Sequence, residues 1–247
     1  MPGMDDSYAK LLWAGGHLKT LHAEITNFTA SPYAVTREDD LENRRHILRL
    51  ELLDVPTHIC LIAGDMVYNM RASLDQLVWG LARLNGIPQH TAFPVVDGPV
   101  LTKDKLSSFK RSLIGVPDEA VCEIDSLQPY HRGASYKTHP LWRLDEICNL
   151  DKHRRIPANG SVQVLRFPNV TPEEIASRIV AIDSTDDGFI VTTSLAFKHK
   201  LDNYYPQAFE VFFGGDQSGI SEHIRGLWQI YKFIADSVFP RFTRFFT

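Results

Sequence analysis

An α+β fold, with a helical bundle core and an antiparallel β-sheet formed mainly by the C-terminal third, is predicted by three features of this sequence. Helical periodicity governs most of the first 155 residues, stretches rich in Val, Ile, Thr and Phe cluster after them, and the strict alternation of strand and helix that a doubly wound parallel sheet requires is absent. No repeat, low-complexity tract or long linker divides the chain. The reading is therefore a single domain over 1–247, mainly helical with one early strand through residue 155, then strands and a closing helix.

The elements follow in order. Residues 7–29 carry Leu11, Leu12, Leu18, Leu21, Ile25 and Phe28 at roughly helical spacing, with Gly15 and Gly16 weakening the middle. "RRHILRLELLD" alternates, so Leu48, Leu50 and Leu52 share one strand face and Arg49 and Glu51 take the other. Pro56 can stand at the first turn of a long helix that runs to Leu84, where Asn85 and Gly86 supply a stop. Proline and glycine then break the chain, leaving short helices around Lys103–Leu113 and Pro117–Leu127. "HPLWRLDEICNLDKHRR" resumes helical periodicity and ends in a basic cluster suited to a helix C-terminus. "SVQVLRFP", "RIVAIDSTDDGFIVTTSLAFK" and "QAFEVFFGG" read as strands, with "STDDG" as a hairpin turn, and an amphipathic helix from Ser221 to Phe239 closes the pattern.

Composition narrows the function classes. A chain of 247 residues, 44% hydrophobic and 23% charged, has the balance of a globular protein rather than a disordered one. Net charge is -4, which excludes the general basic excess of a protein that coats nucleic acid through its phosphates. Cys60, Cys122 and Cys148 are odd in number, widely spaced and set among apolar neighbours, a pattern of buried free thiols in a reducing cytoplasm. The acidic start and the lack of any apolar run of 18 residues predict neither export nor a membrane span. His17, His22 and Glu24 follow no metal-binding pattern, and no phosphate loop, dinucleotide fingerprint or nucleophile elbow occurs, so no metal or cofactor is expected.

The chemistry-bearing residues fall on two helices. In "YNMRASLDQLVWGLARLNG", Arg71 and Asp75 are four residues apart and stack on one face, while Asn69 is displaced to another side. On the later helix Asp145, Asn149 and His153 recur at i, i+4 and i+8, beside Trp142, Leu144 and Cys148. If the two helices are neighbours, a guanidinium, two carboxylates, an amide and an imidazole converge in a partly buried cluster. The plainer reading keeps Arg71 and Asp75 as a surface ion pair worth about 0.3–0.5 kcal/mol, with His153, Arg154 and Arg155 as a solvated helix end.

"GDMVYNMRASLDQLVWGLARL" and "LWRLDEICNLDKHRRI", with "FPV" and "LQPY" between them, resemble a family of uncharacterised bacterial proteins that carry G-D-x-x-x-N-x-R-x-x-L-D-H followed by L-x-x-x-D-K-H-R. The resemblance covers most of the first 155 residues. More remotely, the Arg-to-His spacing of those relatives resembles the Arg-x4-6-His signature of HEPN domains, helical proteins that include metal-independent ribonucleases. That resemblance implies a homodimer that binds RNA or a nucleotide phosphate, with or without cleaving it. Arg71, His153 and Arg154 would then act on the phosphate and the 2′-hydroxyl, Asp75 and Asp145 would orient the cations, and Asn69 and Asn149 would supply hydrogen bonds. This chain departs from the motif at position 76, where Gln stands in place of His, and an amide cannot shuttle protons near neutral pH. The alternative is a non-catalytic interaction protein whose polar cluster is a structural network.

Overall fold

Helix α2 (Thr57–Arg83) is the element around which the helical part of the molecule is organised in the computed structural model, which describes residues 4–30, 32–86, 88, 91–153, 156–164, 173, 179–185, 188–194, 208–215 and 220–247. Ile59, Ala63, Met66, Met70, Leu74, Leu77 and Leu81 recur every three or four residues and are all fully buried. Withdrawing each of the larger ones from water contributes roughly 1.5–3 kcal/mol. The helix ends as expected, before a turn that finishes at Gly86, whose φ of 144° is costly for any residue with a Cβ.

The chain divides into two compact units. One contains residues 1–23, 57–158 and 213–247. It holds most of α1 (Met4–Thr29), then α2, α3 (Lys103–Ser112), α4 (Asp118–Ser126), a 3-10 segment at Pro129–Thr138, and α5 (Pro140–His153). It closes with α6 (Ile224–Phe233), which passes through a π-helical turn at Ile234–Val238 into α7 (Phe239–Phe242). Helix α1 buries Ser7, Leu11, Ala14, Leu18, Leu21 and Ile25. Leu12, expected on that stripe, stands about 100° round from Leu11 and is 55% exposed. Gly15 does not weaken the helix without return: a Cβ there would lie 2.7 Å from the Tyr231 hydroxyl, so its absence admits that ring against α1. Helices α2 and α5 pack together, and Gly64 lets the Asp151 carboxylate approach to where a Cβ would be only 2.7 Å from its Oδ1. Burial, and then the charge of Asp65, push the Asp151 carboxyl above its usual range.

The other unit contains residues 24–56 and 159–212. Its four-stranded sheet is antiparallel throughout, in the order β1-β2-β5-β4, from β1 (Tyr33–Asp40), β2 (Arg45–Leu52), β4 (Ile179–Thr185) and β5 (Gly188–Ser194). The alternation read in β2 is borne out: Leu48 and Leu50 are buried with Tyr33 and Val191, Leu52 packs against them, and Arg49 and Glu51 face out. Strand β1 was not expected. Its only buried residue is Tyr33 and the rest is charged or exposed, the composition of an edge strand, which carries no period-2 apolar signal. The β1–β2 turn is held by Asp40, whose Oδ1 accepts from Asn43 N–H at 3.1 Å, and it carries Arg44 in the left-handed region at φ 55°. Thr185 pairs with Gly188, so the β4–β5 connection falls in the expected "STDDG" turn, although residues 186 and 187 lie outside the described residues.

Strands β3 (Ala158–Val164), β6 (Ala208–Gly215) and β7 (Ile220–His223) form a second sheet in the order β3-β6-β7. The expected continuations of the strand segments through 165–168 and 195–198 lie outside the described residues. The closing helix begins at Ile224 rather than Ser221 because the His223 ring caps it, accepting from Arg225 N–H at 3.1 Å. The fold is therefore α+β, with five of the seven strands among the described residues lying after Pro157. Cys60 and Cys148 are buried as expected, but Cys122 is exposed, because α4 turns Ala120 and Ile124 inward and residue 122 to the opposite face. Among the described residues no helix is long and apolar enough to cross a membrane.

His139 joins the 3-10 segment to α5 and is buried, with Nδ1 accepting from Leu141 N–H at 3.2 Å. Burial, followed by the nearby charges of Arg132 and His131, lowers its pKa from 6.5 to about 4. Between those two values the unfolded chain binds the extra proton and the folded chain does not, so stability rises with pH there. Its contribution is complete above 6.5 and is lost as pH falls toward 4. Melting curves across that interval should show a smaller acid loss in His139→Asn than in wild type. Parallel curves would remove His139 from the acid response.

Candidate functional site

Of the two polar stripes predicted on α2 and α5, Arg71 and Asp75 meet Asp145 and Asn149. Arg71 projects from α2 with its side chain 14% exposed, and its Nη1 donates to Asp145 Oδ1 of α5 at 3.2 Å. Its Nη2 donates to the Phe93 carbonyl oxygen at 2.7 Å and lies 3.3 Å from Asp75 Oδ1, one helical turn along α2. Asn149 extends the chain of contacts, its amide donating to Asp145 Oδ2 at 3.2 Å. Arg71 and Asp75 are thus more than a surface ion pair: they form one network with Asp145 and Asn149 that ties two helices and a loop.

What the network holds is the segment between α2 and α3. Phe93 is fully buried there although residues 91–97 form neither helix nor strand, so their backbone groups have no regular ladder. Side chains replace it. Asp75 Oδ1 accepts from Phe93 N–H at 2.9 Å while Arg71 donates to Phe93 O. Farther along the strip Gln128 does the same with one amide: Oε1 accepts from Val96 N–H at 2.9 Å and Nε2 donates to Pro94 O at 2.9 Å. The Gln128 Nε2 also donates to Ile124 O at 3.1 Å, which fixes the amide to the end of α4. Pro94 keeps Phe93 out of the helical region, so the strip stays extended and presents its polar groups to these side chains. "FPV" and "LQPY", met in the sequence as separate motifs, are the two sides of this arrangement.

Other expected residues are placed differently. Asn69 is buried, but its amide donates to Asp65 O at 2.6 Å and accepts from Lys10 Nζ of α1 at 3.3 Å, so its bonds join α2 to α1 rather than to the Arg71 network. His153 is the last residue of α5, its side chain lies outside the described residues, and Arg154 lies outside them altogether. Beside the network is a cavity of about 310 Å3 bordered by Arg71, Asp145, Phe93 and Lys105. Lys105 pairs with Asp97 Oδ1 at 3.1 Å. Burial raises the Glu146 carboxyl on α5, helped by the charges of Asp145 and Asp97. Among the described residues no group of three His, Cys, Asp or Glu side chains is placed to hold a metal ion.

Position 76 faces elsewhere. Gln76 lines a cleft of about 830 Å3 together with Asp6, Lys10 and Trp13 of α1 and Asp75 and Trp79 of α2. Its Oε1 is buried without a hydrogen-bond partner. Sequence reasoning did not single out Gln128, Trp13 or Trp79. The two tryptophans carried a signal, since they stand on helices yet fall outside the apolar stripes that bury Leu11 and Leu77. Gln128 carried none, because a lone Gln before Pro reads as a loop residue.

If Gln128 supplies the missing ladder, Gln128→Ala strands a buried donor and a buried acceptor and should lower stability by about 2–4 kcal/mol in urea unfolding. A loss below about 1 kcal/mol would mean that the strip does not need it. No family model, curated protein or solved structure matches this chain.

Proposed function

We propose that this chain is a non-catalytic interaction protein in which the Arg71, Asp75, Asp145 and Asn149 cluster is a structural network. The observation that carries this reading is the state of Arg71, whose two terminal nitrogens are both engaged by acceptors of the protein itself, Asp145 on one side and Phe93 O with Asp75 on the other. A guanidinium that must steady a phosphate gains little from leaving two carboxylates and a carbonyl, and its departure strands them partly buried. Gln76, where the HEPN signature has its proton-transferring histidine, cannot serve as general acid or base.

The competing reading, a HEPN-like protein that binds RNA or a nucleotide phosphate and cleaves it without metal, draws on one feature: Arg71 and Lys105 border the same 310 Å3 cavity. Both cations are ion-paired there, which again favours the structural role.

Total RNA incubated with the purified protein in chelator should stay intact, and Arg71→Ala should lower stability by about 3 kcal/mol, as removing one partner of a partly buried charge network does. Fragments produced by wild type and lost in Arg71→Ala and His153→Ala, with melting temperatures unchanged, would overturn the proposal in favour of the ribonuclease.

A further inference from the structure

The 830 Å3 cleft is separate in chemistry from the Arg71 network and shares only Asp75 with it. Asp6, Lys10 and Trp13 fall at i, i+4 and i+7 and so form one face of α1. Asp75, Gln76 and Trp79 supply the α2 wall. Both indoles are exposed, Trp13 to 64% and Trp79 to 40%. Large aromatic rings held in a concave wall are the side chains that binding sites use for flat or cationic groups.

The polar groups of the cleft are mostly acceptors. Asp75 receives Phe93 N–H and Arg71 on Oδ1, which leaves Oδ2 for another donor. Asp6 adds a second carboxylate, and the Gln76 amide brings a buried oxygen with no partner. Among the described residues that line the cleft the cation is Lys10, which turns its ammonium to Asn69 Oδ1 at 3.3 Å. An anionic ligand would meet two carboxylates here, whereas a cation would meet exposed indole surface and a set of acceptors. The Trp79 ring already carries one guanidinium, that of Arg83 at 4.8 Å from its centre, which leaves Trp13 as the indole for a ligand.

We propose that this cleft binds a small organic cation of the guanidinium class, stacked against the exposed Trp13 indole with its N–H groups donated to the Asp6 and Asp75 carboxylates. A guanidinium suits both demands, because its plane stacks on aromatic faces and its edge carries several donors. This goes beyond the structural role of the Arg71 network.

The test is titration of the full chain by calorimetry with agmatine, tetramethylammonium and adenosine monophosphate. Agmatine should bind, tetramethylammonium, which has charge but no N–H, should bind at least about tenfold more weakly, and the nucleotide should not bind. Trp13→Ala and Asp6→Asn, exposed changes that leave Arg71 and its partners in place, should each weaken agmatine by about tenfold, that is about 1.4 kcal/mol, at unchanged melting temperature. Agmatine that fails to bind at about 10 mM, binds no better than tetramethylammonium, or binds both variants as tightly as wild type would overturn the proposal. Binding of the nucleotide alone would overturn it too, and would point to a phosphate ligand. Because neither variant touches Arg71, failure here is read separately from failure of the structural account of the network.

Discussion

The backbone of residues 93–96 has to be hydrogen-bonded without help from a neighbouring strand, and the arrangement of the helical unit follows from how that is done. A buried peptide group left unpaired costs of order 1–3 kcal/mol, and Phe93 cannot be buried without carrying its own N–H and C=O inward. Arg71 and Asp75 satisfy the C=O and the N–H of Phe93, and Gln128 satisfies the Pro94 C=O and the Val96 N–H farther along the strip. Three side chains from two helical regions thus stand in for a β-ladder. The requirement explains why charged residues sit on the helix whose other faces are the most deeply buried in the unit.

The same requirement orients α5 against α2. Arg71 brings one positive charge to the carboxylates of Asp75 and Asp145, so Asp145 must face α2, and Asn149 one turn later continues that face. Gly64 and Asp151 complete the contact toward the other end of α5, where a side chain on residue 64 would leave no room. The polarity of this interface is therefore distributed: an ion network at one end and a close approach at the other, with the apolar stripe of α2 between them. Asp75 also reaches the wide cleft, so one carboxylate couples the fixed strip to the surface on which the two indoles stand.

Much of this was legible. The stripe on α2, the alternation of β2 and the recurrence of Asp145 and Asn149 gave the helical bundle, the α+β class and the polar faces of α2 and α5, because each depends on periodicity within one element. What was not legible depends on partners distant in sequence. Asn69 shares a motif with Arg71, yet the 100° between successive residues sends it to Lys10 on α1. Leu12 and Cys122 looked apolar enough to be buried, but a helix face is decided by its neighbours and both fell on the outer one. Strand β1 is polar because it is an edge, and edge strands hide from a search for alternating hydrophobics. Gln128 looked like punctuation before a proline and became the mainstay of a segment 32 residues away.

Amide hydrogen exchange at Phe93 and Val96 in the wild-type protein tests the central claim most directly. If Asp75 and Gln128 act as a substitute ladder, both amides should be protected to the level of buried α2 amides such as that of Met70, and should open only with the helical unit. Exchange of Phe93 and Val96 at the rate of an unprotected loop, while α2 stays protected, would contradict the account.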